Sequence, residues 1–133
     1  MESSLRVEKT PDGRRLEVSR RIDAPRDRVW DLLVDTTQWP AWGPSITGVT
    51  STDRRIRPGT SGEVRTVGGL WLGFEVTSCS DYRWTWRVAG IPATGHRVDA
   101  RDVGCRAVFE VPLPAAVYAV VCDRALSTLA ALA

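Results

Sequence analysis

One histidine, three scattered cysteines and sixteen carboxylates are what this 133-residue chain offers for chemistry. His96 lies in "TGHRVDARD", where strand alternation puts it on one face with Thr94, Val98 and Ala100 and leaves Arg97 and Asp99 on the other. An imidazole titrating near neutral pH suits general base catalysis, so His96 is the one catalytic candidate. No motif ties a second residue to it. The plainer reading is a histidine hydrogen-bonded at a cavity mouth or merely contacting a ligand. Cys79, Cys105 and Cys122 are odd in number and dispersed, which reads as reduced thiols without zinc-ligand spacing. No phosphate-cradling glycine loop or nucleophile elbow occurs, so neither a metal nor a cofactor is expected.

The second chemical signal is "YRWTWR", Tyr82 to Arg87. In an extended chain Tyr82, Trp84, Trp86 and Val88 share one face, with Arg83, Thr85 and Arg87 opposite. That face is either ordinary strand core or a wall of an apolar ligand pocket. A stacking platform for nucleic acid would need aromatic and basic residues on the same face, which alternation denies. Net charge is +2, and the arginines are spread from Arg6 to Arg124 among the carboxylates, so no basic patch is readable and no nucleic-acid partner is expected.

These residues have to be held by something. "RRLEVSRRI" alternates as a strand, and "DAPRDRVWDLLVD" is a short helix with Asp23 as its cap, Pro25 in its first turn and an apolar stripe of Val29, Trp30, Leu33 and Val34. Pro40, Gly43 and Pro44 force a second stubby helix near Thr37 to Trp42, so Trp30, Trp39 and Trp42 read as anchors of the helices. From Ile46, six strand-like runs separated by Gly, Pro and Asp signals predict an antiparallel meander. In "LWLGFEVTSC" Phe74 is expected inward, with Gly73 a possible bulge and Glu75 outward beside Arg83 or Arg87. The loop "AGIPATG" reads as either a lid or an irregular hairpin. After Pro114, "AAVYAVVCDRALSTLAALA" predicts a long helix with few polar positions, one face of which carries Tyr118, Val121, Cys122 and Ala125. The longest apolar run is about half of the roughly 20 residues that cross a bilayer, and the opening "MESSLRVEKT", with no apolar h-region, is not expected to act as a signal peptide.

Strand, two short helices, six strands and a long helix is the helix-grip order, and "RIDAPRDRVWDLLVDTTQWPAWGPSITGV" resembles the opening of the START-like superfamily, including its polyketide cyclase/dehydrase-like members. The resemblance covers residues 14–133, one domain, and leaves residues 1–13 as an N-terminal tail. It implies an α+β fold in which a seven-stranded curved antiparallel sheet wraps the C-terminal helix around an internal cavity. On that basis the expected function is binding of a small hydrophobic or amphipathic molecule. The expected lining is Phe74, Tyr82, Trp84, Trp86, His96, Phe109, Tyr118 and Val121, with rings enclosing a void. The alternatives are a cyclase or dehydratase using the same cavity and a protein-interaction or stress-adaptor module. The superfamily shares no catalytic set, so none is carried over. A cytoplasmic monomer or homodimer without integral membrane association is expected.

Overall fold

The computed structural model describes residues 3–133. Strands β1 (Ser4–Thr10) and β2 (Gly13–Ile22) are followed by helix α1 (Arg26–Val34), a 3-10 turn over Thr36–Gln38 and the one-turn helix α2 (Trp39–Trp42). Six strands come next: β3 (Ile46–Ser51), β4 (Ser61–Thr66), β5 (Trp71–Ser80), β6 (Arg83–Val88), β7 (Ile91–Ala100) and β8 (Cys105–Pro112). A 3-10 segment, Leu113–Tyr118, then leads into α3 (Ala119–Leu132). The strands form one antiparallel sheet in the order β1-β2-β8-β7-β6-β5-β4-β3, so the helices between β2 and β3 carry the chain from the strand next to one edge to the strand at the other edge.

The architecture is the expected α+β one, with eight strands rather than seven. Ser4–Thr10, expected as a tail, pairs with β2 from Ser4↔Ser19 to Thr10↔Gly13. The turn makes this possible: Gly13 adopts φ +95°, and the Thr10 hydroxyl donates to Gly13 O while accepting from the Asp12 N–H. β1 buries little, with Leu5 and Val7 exposed, so its alternation carried a weak signal.

Pro25 itself occupies the N-cap of α1 and Asp23 makes no capping bond. Val29, Leu32, Leu33 and Val34 are buried, and Trp30 lies only partly so. The indole N–H of Trp39 donates to Leu33 O and that of Trp42 to Leu32 O, both at 2.8 Å. These bonds fold α2 back onto the end of α1, as anchors should. The segment "AGIPATG" is not a lid. Ala89 and Gly90, at φ +52° and +75°, make a two-residue turn between the paired Val88 and Ile91, and the rest is strand. Gly73 pairs in register with Glu63; the irregularities fall instead between Ile46 and Gly48, between Val76 and Ser78 and between Thr85 and Arg87.

On the outer face Glu110, fully buried, accepts from Arg83 and Arg97, and Arg97 also reaches Glu17 and Asp99. Burial pushes the Glu110 carboxyl upward, but those guanidinium hydrogen bonds outweigh it and hold it below its ordinary value. Arg83 is thus committed to Glu110 and Asp12, while Glu75 faces Arg87 across the β5–β6 ladder. The helical run Leu113–Leu132 is twenty residues long and apolar, yet Leu126 and Leu129 are fully buried, and α3 lies against β2, β8 and α2. It is a core helix rather than a membrane span.

Candidate functional site

The aromatic residues do not enclose a central void. Trp39 stacks on Trp84 with ring centroids 5.3 Å apart and planes within 1°, and Trp84 stacks on His96 at 3.9 Å. Phe74 and Trp86 meet Trp39 edge-on at 5.4 Å each. Phe74 and Trp84 are therefore core, not cavity wall. Tyr82 is displaced further. It sits at φ +61° in the β5–β6 turn, its hydroxyl bonds Asp27 on α1, and its ring packs against Trp30 and under the Arg26 guanidinium. Strand alternation assigned Tyr82 inward, but alternation ends where the turn begins.

The open space lies at one end of this core. A cleft of about 470 Å³ separates the inner face of the sheet from the 3-10 segment. Ile46, Val64, Leu72, Trp86, Val88 and Pro112 supply the sheet wall, and Ala115, Val117 and Tyr118 of the 3-10 segment close the other side. Its polar groups are few. Ser45 Oγ and the Tyr118 hydroxyl lie 2.7 Å apart, and the Thr94 hydroxyl accepts from the Trp86 indole N–H at 3.1 Å. Behind the cleft is a space of about 30 Å³, lined by Trp42, His96, Phe109, Val121 and Cys122, and Thr94, Trp86 and Tyr118 border both. It has room for about one water.

Of the expected lining, the structure therefore brings together Trp86 and Tyr118 at the cleft and His96, Phe109 and Val121 behind it. Ile46, Val64, Leu72, Val88, Ser45 and Thr94 were missed. Leu72, Val88 and Thr94 were legible in principle, since each shares the face of a residue already assigned inward. Ser45 follows two turn-forming residues, where a sequence carries no facing information.

His96 Nε2 lies 3.0 Å from the Thr94 hydroxyl, while Nδ1 finds no side-chain or backbone partner of hydrogen-bonding geometry among the described residues. Thr94 accepts the Trp86 N–H, and whether its hydroxyl donates to Nε2 or accepts from it follows the tautomer of the neutral imidazole. Burial drives the His96 pKa down to about 3. Such an imidazole stays neutral at pH 7 but is a weak base. Burial also pushes the Cys122 thiol up to about 12 and raises Tyr118. The cleft can thus exclude water and offer neutral hydrogen bonds, and none of these three groups is tuned to move a proton near neutrality. Among the described residues, no three His, Cys, Asp or Glu side chains converge as a metal cluster. A larger depression of about 770 Å³ on the outer face is bordered by Arg83, Arg97, Glu17 and Glu110, whose charges already pair.

Comparison with known proteins matches residues 13–132 to the family described as polyketide cyclase / dehydrase and lipid transport. The chain matches none of the curated proteins. Among solved structures it is similar to protein Ms6760 from Mycobacterium smegmatis, at 18% identity over 98% of this chain and 96% of that one, TM-score 0.63. CalU16 from Micromonospora echinospora is similar at 19% identity over 97% and 81%, TM-score 0.64. Protein CV1439 from Chromobacterium violaceum is similar at 21% over 87% and 94%, TM-score 0.63. At these identities the likeness speaks to the fold alone.

Proposed function

Because the chain belongs to the polyketide cyclase/dehydrase and lipid transport family, we propose that its cleft binds a small, uncharged amphipathic molecule, lipid- or polyketide-like. The observation that carries this is the lining: mostly aliphatic and aromatic surface, with the hydroxyls of Ser45, Thr66, Thr94 and Tyr118 as its polar side-chain groups. Its volume falls within the roughly 300–1,000 Å³ common for small-molecule sites. Apolar burial supplies the affinity. A carbonyl or hydroxyl on the ligand exchanges for the Ser45–Tyr118 hydrogen bond, whereas a carboxylate entering the cleft would lose its hydration with no cation on the lining to replace it. Three free thiols, two of them buried, suit a reducing compartment, and we place the protein in the cytoplasm.

A cyclase or dehydratase using this cleft would need a group to take a proton, and the low pKa of His96 argues for binding without turnover. Calorimetric titration with a medium-chain alcohol and the matching carboxylate tests the reading. The alcohol is expected to bind, the carboxylate to bind at least about tenfold more weakly, and Leu72→Trp, which narrows the cleft at its sheet wall, to weaken both. Equal binding of alcohol and carboxylate, or unchanged binding by Leu72→Trp, would refute it.

A further inference from the structure

We propose that the rim of the cleft is a docking surface for a neutral lipid bilayer, an inference that rests on reading the cleft as a hydrophobic-ligand site. Three separate segments meet at the opening. Thr66 and Leu72 flank the β4–β5 turn, Ile91 follows the β6–β7 turn, and Val117 belongs to the 3-10 segment, and all four line the cleft. Large aliphatic side chains are exposed on the solvent side of this ring, Val67 at 72%, Leu70 at 62%, Ile91 at 67% and Val117 at 87%, with the Arg65 guanidinium lying against Gly69 of the β4–β5 turn. Exposed aliphatics scattered singly need no explanation, but a ring of them around one apolar opening does.

Charge decides the occupant. Residues 66–74, 88–95 and 111–122 contain no Asp, Glu, Lys or Arg, and neither do residues 36–52, which carry Ser45 and Ile46 to the same cleft. In a chain that is 26% charged, these stretches together would hold about a dozen charges by composition. A protein partner is selected and steered by ionic groups at a rim. A bilayer interface instead favours insertion of uncharged apolar side chains. Three aliphatic points entering the interface around the opening would let a hydrophobic guest pass between lipid and cleft without crossing water.

The test is flotation with phosphatidylcholine vesicles at low and high salt, using the wild type, a Val67→Asp/Leu70→Asp double variant and Leu72→Trp. Val67 and Leu70 sit at an exposed turn outside the cleft lining, so the double variant should keep its fold and its affinity for a soluble alcohol. The wild type is expected to float equally at both salt concentrations, and the double variant to lose about tenfold or more of its bound fraction. Leu72→Trp is expected to float like the wild type although its cleft is narrowed and its alcohol affinity reduced, which separates failure of docking from failure of ligand binding. The proposal is overturned if the wild type stays off these vesicles, if it binds only anionic vesicles and is released by salt, or if the double variant floats undiminished. A wild type that ignores vesicles and sediments as a dimer would assign the ring to a second copy of the chain.

Discussion

His96 shows how burial rewrites a residue's chemistry. Exposed, it would titrate near 6.5; enclosed between Trp84, Phe109 and Trp42, it titrates near 3. The unfolded chain therefore binds a proton below pH 6.5 that the folded chain refuses, and stability falls as pH drops from about 6.5 toward 3, by up to about 1.4 kcal/mol per unit. Urea midpoints taken between about pH 6.5 and 5, above the range where carboxylates titrate, should fall for the wild type and stay flat for His96→Gln. Parallel profiles would show that the histidine charges freely in the folded state. The tryptophans separate in the same way. Trp39 donates its N–H to Leu33 O, whereas the Trp84 N–H has no acceptor. Both lose packing on replacement by Phe, but only Trp39→Phe also strands a carbonyl and forfeits a hydrogen bond, so it should cost about 1 kcal/mol more than Trp84→Phe in denaturant unfolding.

At the scale of elements, the pairing of β7 with β8 depends on one close approach. A Cβ at Gly95 would lie 2.7 Å from Glu110 Oε1 and 3.3 Å from its Cβ, and Gly95 is the direct partner of Glu110 in the ladder. Gly95→Ala should therefore disturb the Arg83–Glu110–Arg97 cluster and cost about 1–3 kcal/mol. Thermal melts check this, and an unchanged midpoint would mean that the cluster yields freely. Most elements were legible beforehand. Strand alternation, proline punctuation and tryptophan spacing located α1, α2 and seven of the strands, because each signal reports a local preference. β1 was not legible, since an edge strand with exposed Leu5 and Val7 leaves no clean burial pattern. Nor was the place where alternation stops: Tyr82 looks inward by counting, and only the positive φ of the turn turns it toward α1.

The whole molecule combines a filled aromatic centre, a charged outer face and an apolar opening at one end. Sequence reasoning placed the void among the rings, because residue type cannot distinguish an indole that lines a cavity from one that fills it. Trp39, brought in by α2, occupies the space that Phe74, Trp84 and Trp86 would otherwise have surrounded. The outer face makes its own prediction. With Glu110 buried and its carboxyl held low by Arg83 and Arg97, its contribution is present above its unfolded pKa near 4.5 and is lost as pH falls below that toward its folded value. Glu110→Ala removes that contribution and leaves two guanidinium groups without their shared partner. It should cost about 3–5 kcal/mol at neutral pH, read from denaturant midpoints.

The central claim is that a guest occupies the cleft beside the 3-10 segment. Its most direct test is amide and side-chain NMR shift mapping during titration with a medium-chain alcohol. Saturable shifts concentrated at Leu72, Trp86, Thr94 and Tyr118, with the outer-face Arg97 and Glu110 unmoved, are the predicted result. Shifts absent throughout, or centred on the outer face, would contradict the account.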